Sequence, residues 1–354
     1  MKRLAHRLAQ VLPGVASLVL LALLLRRADL ARAWDLVHGL GWRLPLLVLP
    51  NLAAMVLEAH GWRLSFRRLG AAPRFWPLLG VRVCGDALIL GLPSGSVVSE
   101  SVQPYLLRTR CGLPLETGIV ATVARKFLVV LSHGLFLATG TLLAWPLLER
   151  ASRAAIGRGG LPWALLATAV VLASSAAALA ATIGRGRAAD RVHAALQRVG
   201  GRWIGSWLER NARRFRRTDD SLVAFFSRPF GSLAAALVFY LAGWLVRSLE
   251  TVLFLRLVGV DLPLSAAMVV ETALILVRAA AVPVPAGLGI LDAGYVLCLH
   301  ALGLPDATTV GTAFVLLKRG RDLCWVAAGF LLLGVGRRRA APAEPAAVVP
   351  PRPS

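Results

Sequence analysis

Acidic and basic residues stand inside the long apolar segments of this chain, where they could bind a charged or polar ligand. A charge at the centre of a bilayer costs about 2.5–3.5 kcal/mol, so such residues usually pair or line a wet cavity. Arg82 and Asp86 are four residues apart and would share one helix face. Arg247 and Glu250 are three apart, a spacing that predicts a structural ion pair. The densest cluster lies well inside the last apolar segment and comprises Lys318, Arg319, Arg321 and Asp322.

The same acids and bases could in principle perform acid–base catalysis, because paired side chains can exchange protons with a substrate. The sequence, however, contains no Ser-His-Asp context, Walker loop, dinucleotide fingerprint or cluster with metal-ligand spacing. Its four cysteines are scattered and predict neither a zinc site nor a disulfide framework. We therefore predict no catalytic residue, no metal and no cofactor, and an enzyme is the minority interpretation.

An internal repeat organises these residues. Its first copy runs from Asp86 through Ala-Leu-Ile-Leu, a Pro-Gly break and an acid to Gly-Leu-Pro at 112–114. Its second copy runs from Glu271 through the same elements to Gly-Leu-Pro at 303–305. Two apolar segments that are broken at corresponding places in two halves are typical of discontinuous membrane helices around a central site.

The candidate binding residues therefore carry a charge in an apolar segment or lie at one of the two breaks. They are Arg82, Asp86, Pro93, Gly95, Glu100, Arg125, Glu271, Arg278, Pro283, Pro285, Gly287, Gly289, Asp292, Arg319, Arg321 and Asp322. For Arg125, which begins an apolar segment, snorkelling to the membrane surface is the alternative interpretation.

Composition indicates a polytopic membrane protein, because 57% of the 354 residues are hydrophobic and only 16% are charged. The net charge of +22 could suggest nucleic acid as a partner. The arginines lie mainly in segments that flank apolar runs, so the anionic surface of a membrane is the expected partner, and nucleic acid is not.

Charge also predicts the topology. The predicted spans are 11–25, 44–62, 119–148, 161–183, 231–257 and 308–335, with interrupted segments at 78–116 and 264–303. Arginine and lysine accumulate on the cytoplasmic side, and the segment 184–230 contains 11 arginines. This segment is cytoplasmic only if the interrupted segments turn back as re-entrant hairpins that enter from opposite faces. Both termini are then cytoplasmic, 184–230 includes a basic amphipathic helix, and 337–354 is a disordered tail following a transmembrane domain over 1–336.

The second break resembles the signature of a known family, the lysylphosphatidylglycerol synthase transmembrane-region proteins, also described as flippase-like and including hopanoid-associated stand-alone members. The resemblance rests on Pro-x-Pro-x-Gly-Leu-Gly at 283–289, Asp292, Gly-Leu-Pro at 303–305 and Arg319. The first half fits more loosely, through Leu-Pro-Ser-Gly at 92–95, Glu100 and Arg125. Gln103 stands where the family commonly has a basic residue.

The resemblance covers about residues 10–335 and implies an all-α protein of the bacterial inner membrane that moves lipids between leaflets. We expect six crossing helices and two re-entrant hairpins related as an inverted repeat. In two-part members of the family, a soluble domain performs aminoacyl transfer, and we expect this chain not to act as a synthase. The alternatives are a membrane enzyme acting on a lipid or polyprenyl-phosphate headgroup and a non-catalytic accessory protein.

Overall fold

The computed structural model describes residues 29–184, 217–227, 231–280 and 287–339, together with positions 22, 26 and 284. The regular secondary structure in these ranges is helical throughout, which confirms the all-α prediction. The α-helices, in chain order, are α1 Leu30–His38, α2 Val48–Phe66, α3 Phe75–Gly91, α4 Gly95–Cys111, α5 Leu115–Leu143, α6 Trp145–Ile156, α7 Leu161–Gly184, α8 217–227, α9 Gly231–Leu257, α10 Leu264–Ala280, α11 Ile290–Ala301 and α12 Ala307–Arg339.

Four helical segments in the described ranges are long and apolar enough to cross a bilayer. They are Gly41–Leu69, which joins a 3-10 turn to α2, and the helices Leu115–Leu143, Leu161–Gly184 and Gly231–Leu257. Helix α12 is longer, at 33 residues, but it carries the predicted charge cluster near its centre. The predicted span 11–25 lies outside the described residues except for position 22. The chain is a multi-pass membrane protein.

The predicted span 119–148 is wrong at its end, because α5 stops at Leu143 and α6 begins at Trp145. Pro146 lacks the backbone N–H that would continue α5, and a proline is well tolerated in the first turn of a new helix. Helix α6 is amphipathic: it buries Leu148 and exposes Arg150. The apolar sequence therefore continues past the break, but the helix does not.

Both interrupted segments form helix–break–helix structures. In the first, α3 ends at Gly91, Ser94 adopts a left-handed φ of 51°, and α4 begins at Gly95. A Cβ on Gly95 would lie 2.6 Å from the Ile89 carbonyl oxygen. This glycine therefore allows the hairpin to fold tightly onto its own first arm.

The second break lies between α10 and α11. Gly287 and Gly289 have φ values of 59° and 79°, a region that L side chains rarely adopt, so both positions favour glycine. Pro283 and Pro285 lie outside the described residues. The two arms α10 and α11 pack against each other, as α3 and α4 do in the first half.

The two halves meet through antiparallel packing of α2 and α9. At one end, a Cβ on Gly61 would lie 2.9 Å from the Ala236 carbonyl oxygen. At the other end, the Arg247 guanidinium donates to the Asn51 amide oxygen at 3.1 Å. Residue numbers thus rise along one helix while they fall along the other, which is the arrangement that the predicted inverted repeat requires.

The first arm of each hairpin also packs against a long helix from the other half of the chain. Helix α3 packs against α12, and α10 packs against α5. A Cβ on Gly329 of α12 would contact the Ala87 side chain of α3 and lie 2.9 Å from the Val83 carbonyl oxygen. A Cβ on Gly140 of α5 would lie 2.6 Å from the Thr272 hydroxyl of α10. Small residues permit close helix approach in membranes. These two contacts therefore hold the first arm of each hairpin close to a helix of the other half.

The predicted basic segment 184–230 is only partly described. Residues 185–216, which include its amphipathic stretch, lie outside the described residues. Helix α8 follows, and its Phe225 and Phe226 are buried in a cluster with Phe127 of α5. Helix α12 ends at Arg339, inside the segment predicted as a tail from 337, and residues 340–354 lie outside the described residues.

Candidate functional site

A polar cavity of about 280 Å³ lies between helices of both halves. Its lining comes from α2, α3, α4, α5, α9, α11 and α12, so both hairpins contribute to it. Seven basic and five acidic side chains line it, namely Arg82, Arg125, Lys126, Arg247, Lys318, Arg319, Arg321, Glu58, Asp86, Glu100, Asp292 and Asp322. A cavity with so many charges in so apolar a chain is a binding-site candidate on physical grounds.

Glu58 of α2 lies at the centre of the first charge cluster and binds arginines of two other helices. Its carboxylate accepts from Arg82 Nε at 2.9 Å and Nη2 at 2.6 Å, and from Arg247 Nη2 at 2.9 Å. Arg82 also pairs with Asp86, which confirms the predicted pair along one face of α3. Three helices, α2, α3 and α9, are joined here by charge-assisted hydrogen bonds, which are stronger than neutral ones.

A second group lies between α4 and α5. Lys126 pairs with Glu100 across the two helices. The neighbouring Arg125 is buried, donates from Nε to the Gln103 amide oxygen at 3.1 Å, and lies with its guanidinium carbon 5.4 Å from the Trp62 ring centroid. Its burial and its place in the cavity wall differ from the snorkelling alternative, in which the charged end would reach the surface.

The start of α11 carries a third group. Asp292 Oδ2 accepts from the Gly289 backbone N–H at 2.8 Å and so caps the helix at its N-terminus. The other oxygen, Oδ1, accepts from Arg319 Nε at 2.9 Å and Nη2 at 2.6 Å. One carboxylate thereby fixes the second break relative to α12.

Lys318 of α12 belongs to a more deeply buried network. Its ammonium donates to Glu271 Oε1 at 2.9 Å and to the Thr251 hydroxyl at 3.1 Å, and lies 3.5 Å from Glu250 Oε2. Arg321 pairs with the same Glu250 and with Asp322. The predicted Arg247–Glu250 pair is therefore wrong, because each of these side chains pairs across helices instead.

The structure brings half of the predicted binding residues into the cavity wall. These are Arg82, Asp86, Glu100, Arg125, Asp292, Arg319, Arg321 and Asp322. Glu271 lies behind the wall, bonded to Lys318. Pro93, Gly95, Gly287 and Gly289 belong to the two breaks rather than to the lining. The side chain of Arg278 lies outside the described residues.

Several lining residues were not among the predicted binding residues, chiefly Asn51, Glu58, Lys126, Arg247 and Lys318. The one available signal for Glu58 was its position as an acid inside the predicted span 44–62, because intramembrane acids are usually functional or paired.

Within the described residues, no group of three or more His, Cys, Asp or Glu side chains could hold a metal ion.

The fold and this cavity define a class: a multi-pass helical membrane protein with two broken helical segments around a central charged site. The chain matches the family described as the lysylphosphatidylglycerol synthase TM region over residues 10–333, and it belongs to that family. Comparison with curated proteins and with solved structures gives no match. The family membership that the sequence predicted is thus confirmed, and the match covers nearly the whole chain.

Proposed function

We propose that the protein moves a lipid with a polar or anionic headgroup between the leaflets of a bacterial inner membrane. The observation that carries this proposal is the charged cavity, which is bordered by helices long enough to cross a bilayer and by both hairpins. Membership of the family supports a role in lipid handling. The polar lining suits a headgroup, while the surrounding helices offer apolar surface for acyl chains.

The ends of the broken helices add to this suitability. Ser96 in the first turn of α4 and Leu291 in the first turn of α11 both border the cavity. The N-terminus of a helix carries a partial positive charge and free N–H groups, which favour anionic ligands. Half-helix N-termini beside a central site are a recurring feature of secondary transporters.

The proposed topology has re-entrant hairpins and both termini in the cytoplasm. The arms α3 and α4 have 17 residues each. Such an arm is about 26 Å long at 1.5 Å per residue, somewhat less than the roughly 30 Å of a bilayer core. Hairpins that enter from opposite faces would let the cavity open to each leaflet in turn.

Reconstitution in liposomes with a panel of headgroup-labelled lipids tests the proposal. We expect Arg319→Gln to lower the rate of leaflet exchange at least about tenfold, because the charge-assisted bonds that join Asp292 at the second break to α12 are lost. The matched control is Arg256→Gln, since Arg256 Nε bonds Asp261 Oδ1 at 3.0 Å in an exposed pair outside the cavity. Its exchange rate should stay within about twofold of the unmodified protein, as expected for an exposed pair.

The same preparation separates transport from the alternatives. A transporter returns its lipid chemically unchanged, which mass spectrometry of the recovered lipid can verify. A modified headgroup would indicate a membrane enzyme instead. The absence of leaflet exchange with every lipid in the panel would contradict the proposal and favour an accessory protein.

A further inference from the structure

Six of the seven basic side chains that line the cavity are paired with carboxylates. These six are Arg82, Lys126, Arg247, Lys318, Arg319 and Arg321. A carboxylate that neutralises a cation also competes with any anionic ligand for its N–H groups. The paired cations therefore organise the cavity but are poorly placed to take an anion without losing an existing partner.

Arg125 is the seventh, and its surroundings differ. It is 5% exposed, and its Nε donates to the neutral amide oxygen of Gln103. Its other contact is the face of the Trp62 ring, which attracts a cation but neutralises no charge. Among the described residues, no carboxylate lies within ion-pair distance of its guanidinium. A buried guanidinium without a counter-ion is costly, and an anionic ligand would remove that cost.

Tyr240 provides a second, independent observation. This side chain lines the same cavity and is 2% exposed, yet its hydroxyl has no hydrogen-bond partner among the described residues. Arg125 and Tyr240 border the same cavity. Buried polar groups are nearly always hydrogen-bonded, so this hydroxyl is available as a partner for a ligand that enters the cavity.

The two groups together specify the chemistry of that ligand. The guanidinium has only donors, and its Nη1 and Nη2 form a fork that matches two oxygens of one oxyanion. The hydroxyl can donate to a further oxygen of the same group. A tetrahedral phosphate group has enough oxygens to occupy both donors at once, and it carries the negative charge that Arg125 lacks nearby.

We propose that Arg125 and Tyr240 form the anion-binding position of the cavity and hold a phosphate group, with Gln103 as the residue that keeps Arg125 free of an internal counter-ion. This inference deepens the proposed function and rests on it only for the idea that a lipid supplies the phosphate. Gln103 is a positioning residue: it is fully buried and is itself held by a 2.9 Å bond from its amide nitrogen to the Ser99 hydroxyl.

The sharpest test is Gln103→Glu, which keeps the shape of the side chain and places a carboxylate 3.1 Å from Arg125 Nε. The full chain is purified in detergent and titrated with inorganic phosphate by calorimetry. We expect the phosphate affinity to fall at least about tenfold, because the new carboxylate occupies the guanidinium. The denaturation midpoint should not fall, since the variant adds a partner to a buried charge.

Asn51→Asp is the matched control. It makes the same change of charge beside an arginine of the same cavity, and the Asn51 oxygen lies at the same 3.1 Å from an arginine nitrogen. That arginine, Arg247, already has a carboxylate partner in Glu58. We expect a fall in phosphate affinity of no more than about threefold, from added negative charge alone.

Tyr240→Phe removes the unbonded hydroxyl and keeps the ring. A hydroxyl with no partner adds nothing to folding, so the denaturation midpoint should hold or rise while phosphate affinity falls about fivefold, as for the loss of one hydrogen bond. A purely structural tyrosine would give the opposite pattern, with lower stability and unchanged binding.

Competition distinguishes the source of the phosphate. If a short-chain phosphatidylglycerol displaces inorganic phosphate, a lipid headgroup supplies the group; if phosphate binds and the lipid does not compete, the site takes free phosphate. Both results support the anion position, and the second would count against the proposed lipid transport. The inference is overturned if the unmodified protein binds neither probe, or if Gln103→Glu binds phosphate as tightly as Asn51→Asp does.

Discussion

Replacing Glu58 by glutamine should have opposite effects on stability and on anion binding. Glu58 accepts three hydrogen bonds from two buried guanidiniums, those of Arg82 and Arg247. Removing one partner of a buried ion pair typically costs about 3–5 kcal/mol. Arg82 keeps Asp86 and Arg247 keeps Asn51, so we expect the lower end, a loss of about 3 kcal/mol in the free energy of unfolding.

The same substitution removes one negative charge from the cavity wall and weakens the binding of two guanidiniums to it, so the affinity for inorganic phosphate should rise. Denaturant titration in mixed micelles would measure the free energy of unfolding, and calorimetry would measure the affinity for phosphate. The matched control is Glu149→Gln, because Glu149 pairs with Arg153 in an exposed i,i+4 pair worth only about 0.3–0.5 kcal/mol. A variant that is merely misfolded would lose both stability and binding. If Glu58→Gln cost no more than Glu149→Gln, the description of Glu58 as the centre of a buried network would be refuted.

Two further predictions concern packing and topology. Gly329→Ala should destabilise the protein by about 1–3 kcal/mol, because the new methyl group meets the α3 backbone, whereas Gly334→Ala, with open space around it, should stabilise α12 by up to about 1 kcal/mol in the same titration. Equal effects at both positions would contradict the close approach of α12 to α3. If the first hairpin is re-entrant, cysteines placed at Ala72 and Thr109 in a cysteine-free chain should react with a membrane-impermeant label from one face, and a cysteine at Arg158 from the other. Labelling of the first two from opposite faces would show that the hairpin crosses the membrane.

The breaks in the helices could be predicted from the sequence because their causes are local. Proline lacks a donor and glycine permits positive φ, so the interruptions near Pro93 and at 287–289 are encoded within a few residues. The end of the span 119–148 was wrong although its cause, Pro146, is also local. Apolar residues continue across that proline, and hydropathy alone does not distinguish one helix from two.

The ion pairs could be predicted only where helix geometry fixes both partners. Arg82 and Asp86 pair along α3 as their spacing indicates. Arg247 and Glu250 have a similarly suitable spacing, yet Arg247 bonds Glu58, 189 positions earlier in the chain. Once helices pack, partners on other helices compete with those on the same helix, and the outcome depends on tertiary distances that the spacing of residues does not contain.

Charge is distributed unevenly among the described side chains of the cavity wall and the buried carboxylates directly behind it, Glu250 and Glu271. On the side of Arg125, four basic residues meet three acidic ones: Arg82, Arg125, Lys126 and Arg247 with Glu58, Asp86 and Glu100. On the side of α12, three basic residues meet four acidic ones: Lys318, Arg319 and Arg321 with Glu250, Glu271, Asp292 and Asp322.

Together, the seven basic and seven acidic side chains cancel in formal charge, which explains how seven cations can lie around one small cavity, since buried charges persist when they are paired. The remaining local excess is positive beside Arg125 and negative beside α12, so a ligand with both charges would be oriented with its anionic end towards Arg125. For the arginines that flank the apolar segments, we expect attraction to anionic lipids that does not distinguish among headgroups. If the proposed anion position is correct, selectivity should depend on the few donors that are left without an internal partner, and a single added carboxylate at Gln103 should alter it more than any change in the basic segment 184–230.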